Sequence, residues 1–171
     1  MTAHEQCGAR WAAAGDMDDA LAAHAVALLG PGDVTTGRLC PVCGSSEHGR
    51  PWLRHGGAPQ HVSASRSGPY LVTVLARAPV GVDVESIAAV AARWDPSLVL
   101  ADGEVAESPL DRARAWARKE AVLKARGTGL ATPMGAVRLE DEHWVDLTAP
   151  RGFVAAVSMR ASSLVPTRSA D

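Results

Sequence analysis

Lysine is nearly missing from this chain: Lys119 and Lys124 are the only two, both in one short segment, and arginine makes up the rest of the 17 basic residues. There is no run of 18 apolar residues, so no membrane-crossing helix is expected. Residues 1–11 have no basic stretch followed by an apolar one, so a secretory signal is not expected either. Three cysteines, Cys7, Cys40 and Cys43, are too few and too unevenly placed for a disulfide framework, and a reducing, cytoplasmic setting is the expectation. An excess of positive charge is also lacking. The 17 basic residues face 19 acidic ones, which argues against broad nucleic-acid binding but leaves room for a local pocket for one anionic ligand. There is no P-loop, no G-x-G-x-x-G and no G-x-S-x-G elbow.

What remains is a chain of 171 residues, 47% hydrophobic and 21% charged. That is globular composition, enough for one domain or two small halves sharing a core. Residues 16–29 read as a helix capped by Asp16 and ended by Gly30-Pro31-Gly32. Residues 31–60 are rich in glycine and proline and read as loops with at most short strands. Residues 70–77 and 80–85 read as two strands joined in a hairpin across Ala78-Pro79, and 87–94 as a short helix. The clearest helix is 109–126, with Pro109 in its first turn and Gly127 as a left-handed cap. Strand-like pieces follow at 136–139, 144–147 and 152–159, and 161–171 reads as a frayed tail. Helices and strands do not alternate regularly, which points to α+β with antiparallel sheets.

Four clusters could carry chemistry. On a strand, Gly81-Val82-Asp83-Val84-Glu85 turns Val82 and Val84 to a core and sets Asp83 and Glu85 together on the other face. Paired carboxylates suit a hard cation such as Mg²⁺, although a polar solvent face has the same pattern. On the long helix, Trp116, Glu120 and Lys124 lie four apart and share a face, so Glu120 offers a third carboxylate and Lys124 a point charge for phosphate; a plain surface pair is the bland alternative. Ser63-Ala64-Ser65-Arg66-Ser67-Gly68 reads as a polar turn whose hydroxyls and arginine suit phosphate oxygens. Cys40-Pro41-Val42-Cys43 is half of a zinc site that His48, Cys7 or His4 could complete; a buried turn is the preferred reading and a structural zinc at Cys40 and Cys43 the alternative.

Taken together, GVDVE, WARKEAVLKARGTGL, the SRSG segment and GRP at residues 49–51 resemble the 4′-phosphopantetheinyl transferases of the surfactin-synthetase-activating type. The resemblance covers roughly residues 47–160. It implies a pseudo-twofold pair of similar α+β halves, each an antiparallel sheet packed on a long helix, with the active site in the cleft between them. The halves would be 1–79, on the coenzyme A side, and 80–160, with the metal triad and carrier docking, followed by a flexible tail at 161–171.

The implied reaction moves phosphopantetheine from coenzyme A to a serine of an acyl or peptidyl carrier protein and releases 3′,5′-ADP. Mg²⁺ would serve, or Mn²⁺, which accepts the same oxygen ligands. By the resemblance, Asp83, Glu85 and Glu120 are the metal triad. Glu120 is also the general base, Lys124 the phosphate and leaving-group residue, and Arg50, Ser65 and Arg66 contacts to coenzyme A. Glu104 sits about where the family often has another acidic residue near the site. Helix 87–94 lies near where the carrier docks, and its Ile87, Val90, Ala91 and Trp94 are either that apolar patch or core. A monomer that binds neither nucleic acid nor membrane is expected. Arg66 stands where the family usually has histidine, and residues 12–37 contain no lysine or arginine. These departures leave two alternatives. One is a diverged member that uses another nucleotide or only binds; the other is a small zinc-knuckle interaction protein.

Overall fold

The computed structural model describes residues 7–40 and 42–160; His4 and the tail at 161–171 lie outside the described residues. The chain forms two antiparallel sheets, each backed by a helix. The first comprises β1 (Cys7–Ala13), β2 (Val34–Leu39), β3 (Arg50–His55), β4 (Ala58–Ser67) and β5 (Tyr70–Ala76), in the order β1-β5-β4-β3-β2. The second comprises β6 (Val80–Ser86), β7 (Trp144–Leu147) and β8 (Phe153–Met159), in the order β6-β8-β7. The helices are α1 (Met17–Leu29), α2 (Ile87–Ala92), α3 (Pro96–Val99) and α4 (Pro109–Arg126). The mixed α+β architecture with antiparallel sheets is therefore as read from the sequence.

Local chemistry sets the helix ends. The Asp16 carboxylate accepts the backbone N–H groups of Asp18 and Asp19 at 2.8 and 2.9 Å, which fixes the start of α1. Ser108 and Asp111 form a reciprocal capping box, Pro109 fills the first turn of α4, and Gly127 closes it in the left-handed region.

α1 packs Leu21 and Ala25 on Leu53, Val62 and Leu75 of the first sheet. α4 lays an alanine face, Ala113, Ala117 and Ala121, against Val154 and Ala156 of β8. Between the sheets, Val72 and Val74 of β5 meet Val80, Val82 and Val84 of β6 and Ala155 and Val157 of β8. Strand β6 is thus buried on both faces. Val82 and Val84 enter the core as expected, but the face of Asp83 turns to α4 rather than to solvent. Gly81 shows how close that approach is: a Cβ there would collide with the Ala121 carbonyl oxygen.

Four expectations are corrected. Residues 31–60, read as loops with at most short strands, hold two six-residue strands, β2 and β3, and the start of β4, around the loop that joins β2 to β3. Strands β5 and β6 do not form a hairpin, since β5 pairs with β1 and β4 while β6 pairs with β8. The serine-rich segment is the end of β4, not a turn. Residues 136–139 are 3-10 turns around Met134–Ala136 and Leu139–Asp141 rather than a strand. In addition, β1 and α3 were not foreseen.

Candidate functional site

The facing edges of β4 and β6 meet without a backbone ladder. Instead, the hydroxyls of Ser63, Ser65 and Ser67, two residues apart and so on one face of β4, accept the backbone N–H groups of Val82, Val84 and Ser86 at 3.0, 3.3 and 3.2 Å. Three side chains thus stand in for a neighbouring strand and join the two sheets. The S-x-S-x-S spacing was the signal for this role, hidden because the segment reads as a polar turn.

The middle rung leads to the site. Ser65 Oγ also donates to Asp83 Oδ1 at 2.7 Å. Lys124, in the last turn of α4, donates to the same Oδ1 at 2.6 Å and to the Val82 carbonyl at 3.1 Å. Asp83 is 3% exposed, and its Oδ2 is buried with no hydrogen-bond partner among the described residues. An orphaned buried carboxylate oxygen is costly, so this atom is matched to a ligand that accepts a lone pair.

Two more carboxylates approach the same place. Glu85, two residues on along β6, has its pKa pushed up to about 7, first by burial and then by the charge of Asp83; Arg93, 3.9 Å away, opposes the shift. Glu120, one turn before Lys124, is also raised, first by burial and further by Asp83, while Lys124 pulls the other way. Two carboxylates whose pKa is raised by burial and by the charge of a third mark a site short of positive charge. The donor set is all oxygen, with one lysine beside it, which fits a hard divalent cation. Their oxygens are not gathered within 4.8 Å of one another. Like charges hold apart, and Lys124 already occupies Asp83 Oδ1.

The other expected residues divide. Ser65 is in the cluster through Asp83. Arg50, first residue of β3, crosses to the second half, where its guanidinium lies against the C-cap of α4: a Cβ on Gly127 would come 2.7 Å from Arg50 Nη1. Arg66 is not brought to the cluster. It alternates with Ser65 and Ser67, so it faces away from β6, exposed, and donates to the Gly15 carbonyl at 3.4 Å. Glu104 is likewise elsewhere. It accepts the ammonium of the fully buried Lys119 and the backbone N–H groups of Ala101 (2.8 Å) and Leu139 (3.0 Å), pinning the loops beneath the other side of α4. Of the residues on helix 87–94, Val90 is buried, and Ile87 and Trp94 pack with it on α4. They belong to the core. Arg93, which faces Glu85, had no sequence signal.

Cys40 and Cys43 do not form a buried turn. Cys43 is exposed and Cys40 half-buried, in the loop between β2 and β3, with His48 beside them. Cys7 stands on β1, at the opposite edge of the sheet.

Residues 79–161 match the model of the 4′-phosphopantetheinyl transferase superfamily. The matched span contains Asp83, Glu85, Glu120 and Lys124, whereas Arg50, Ser65 and Arg66 lie before it. No curated protein matches the chain. No helix among the described residues is long and apolar enough to cross a membrane.

Proposed function

We propose that this chain, whose residues 79–161 form a domain of the 4′-phosphopantetheinyl transferase superfamily, transfers phosphopantetheine from coenzyme A to a serine of an acyl or peptidyl carrier protein. The observation that carries this reading is Asp83: buried, held on one oxygen by Ser65 and Lys124, orphaned on the other, and flanked by Glu85 and Glu120. Asp83, Glu85 and Glu120 would hold Mg²⁺, which would supply positive charge where negative charge builds during the transfer.

In this reading the carrier hydroxyl attacks the phosphorus that bears pantetheine. A new P–O bond forms to the serine, the bond to the bridging oxygen breaks, and its electron pair leaves with 3′,5′-ADP. Glu120 takes the serine proton. Burial raises its pKa above that of an ordinary glutamate, which brings the base nearer the working pH. Lys124 keeps a fixed ammonium at the Asp83 end of the cluster, where it steadies the departing phosphate. Arg50, reaching from the first half to Gly127, supplies a second cation toward the coenzyme A phosphates.

The two helix-backed sheets are then two halves related by a pseudo-twofold, 1–79 and 80–160, joined through the serine rungs. Polyketide, nonribosomal or fatty-acid type pathways supply such carriers, and the reaction belongs in the cytoplasm.

Intact-mass spectrometry on apo carrier proteins incubated with the chain, coenzyme A and Mg²⁺ tests this. A gain of one phosphopantetheine, abolished by EDTA, is expected. No gain on any carrier, from folded protein, overturns it. The outward position of Arg66 favours a second reading, a diverged member that keeps the cation site but takes another nucleotide or only binds.

A further inference from the structure

The loop between β2 and β3, apart from the carboxylate cluster, holds the most compact set of metal-ligating groups among the described residues. The ligand atoms of Cys40, Cys43 and His48 all lie within 4.8 Å of one another, and no other three such residues do so among the described residues. Cys43 Sγ is 3.3 Å from His48 Nε2.

The loop is built rather than loose. Leu39 pairs with Arg50 at its base. The Cys40 N–H donates to the Ser45 carbonyl and the Gly44 N–H to the Cys40 carbonyl, both at 2.9 Å. Gly49 runs so close to the chain leaving β2 that a Cβ would come 2.5 Å from backbone atoms of Leu39 and Cys40.

We infer that Cys40, Cys43 and His48 bind Zn²⁺, with a water in the fourth position. Two thiolates and one imidazole are soft to borderline donors, the set that zinc takes in tetrahedral geometry and that Mg²⁺ refuses. The C-x-x-C spacing keeps the two sulfurs near each other, and the closed loop base brings His48 back to them. Two thiolates balance the charge of the ion. The exposure of Cys43 and His48 leaves the remaining position to solvent. Cys7 stands on β1, four strand spacings, roughly 19 Å, from β2. The site is separate from the carboxylate cluster in place and in chemistry. It clamps the loop that delivers Arg50, two residues after His48.

Elemental analysis of the full chain, purified without a metal-binding tag and dialysed against a weak chelator, tests the inference. We expect about one zinc per chain. Cys40→Ser and Cys43→Ser each lower it at least about tenfold, as loss of a thiolate ligand should, while Glu120→Gln leaves it unchanged. Replacing zinc with Co²⁺ in the unaltered chain should give a thiolate-to-cobalt charge-transfer band and the intense visible bands of a tetrahedral site. This readout needs no variant, so a serine variant that fails to fold does not decide the matter. Three results overturn the inference: an unaltered chain that takes up neither zinc nor cobalt, zinc retained when both cysteines are replaced, or a Cys40–Cys43 disulfide in protein purified without oxygen. None of them depends on whether phosphopantetheine is transferred.

Discussion

Lys124 Nζ lies 2.6 Å from Asp83 Oδ1, and the other oxygen of that buried carboxylate has no partner among the described residues. The lysine neutralises half of the site and leaves the other half for a cation. Removing it separates two roles. Lys124→Ala leaves Asp83 buried beside two other carboxylates without their nearest positive charge. It should cost about 1–3 kcal/mol in the metal-free protein, read by urea unfolding, and Mg²⁺ should recover part of that loss. In transfer assays the same variant should lower turnover more than it weakens coenzyme A binding, because the charge matters most as the leaving group departs. A pure loss of affinity would contradict the role.

Glu120→Gln keeps the shape of the side chain and removes both its charge and its basicity. Burial already disfavours the ionised form of Glu120, so the variant should melt no lower than the parent in EDTA. Transfer should fall to background. Unchanged turnover would remove Glu120 from the reaction, and a collapsed melting curve would make it a structural residue instead.

The serine rungs make a different kind of prediction. Ser65→Ala deletes a donor to Asp83 Oδ1 and the acceptor for the Val84 N–H, both buried. It should cost about 1–3 kcal/mol. Ser67→Ala, at the half-buried end of the row, should cost less. Equal, negligible effects at both positions would mean that the sheets do not depend on these hydroxyls.

Close packing predicts the behaviour of Gly81. Its missing side chain lets the backbone of α4 rest on β6, with the Ala121 carbonyl and Lys124 Cβ directly over it. Gly81→Ala must push the helix away and take Glu120 and Lys124 with it. A loss of about 3 kcal/mol is expected, with Mg²⁺ binding weakened in parallel in whatever fraction stays folded.

These effects also show what the sequence could and could not convey. The elements whose ends are fixed locally were legible: α1 through Asp16 and Gly30, α4 through Ser108, Pro109 and Gly127, and β5, β6 and β8 through their β-branched runs. Periods of two and four put Asp83 with Glu85 on one strand face and Glu120 with Lys124 on one helix face; that the two faces meet was implied only by the family resemblance. Pairing was not legible. Nothing within residues 70–86 tells that β6 will leave β5 and pair with β8, some seventy residues later. Strands β2 and β3 hide in a glycine- and proline-rich stretch because their order comes from each other and from β4. Ser65 was singled out for phosphate, whereas its observed partners are Asp83 and a backbone N–H. Residue type gives the capacity to hydrogen-bond, and only the fold says to what.

The final prediction concerns two groups that pull stability in opposite directions over one pH range. His24 is buried, its Nδ1 2.9 Å from Thr73 Oγ1, and burial, with Arg10 nearby, holds its pKa below the usual 6.5. The unfolded chain therefore takes up a proton there before the folded one does. The stability His24 contributes is present above about pH 6.5 and lost as the pH falls below it. Glu85 does the reverse. Its folded pKa of about 7 lies above the unfolded 4.5, so the folded, metal-free chain takes up the proton first and gains stability as the pH falls from 7 toward 4.5. In EDTA, between about pH 5 and pH 7, the two slopes oppose each other. His24→Gln should remove the destabilising one and leave a protein that grows more stable on mild acidification. Glu85→Gln should leave one that weakens more steeply than the parent. Urea midpoints across that range measure both, and two variants with the parent's slope would mean that neither group is perturbed as its burial implies.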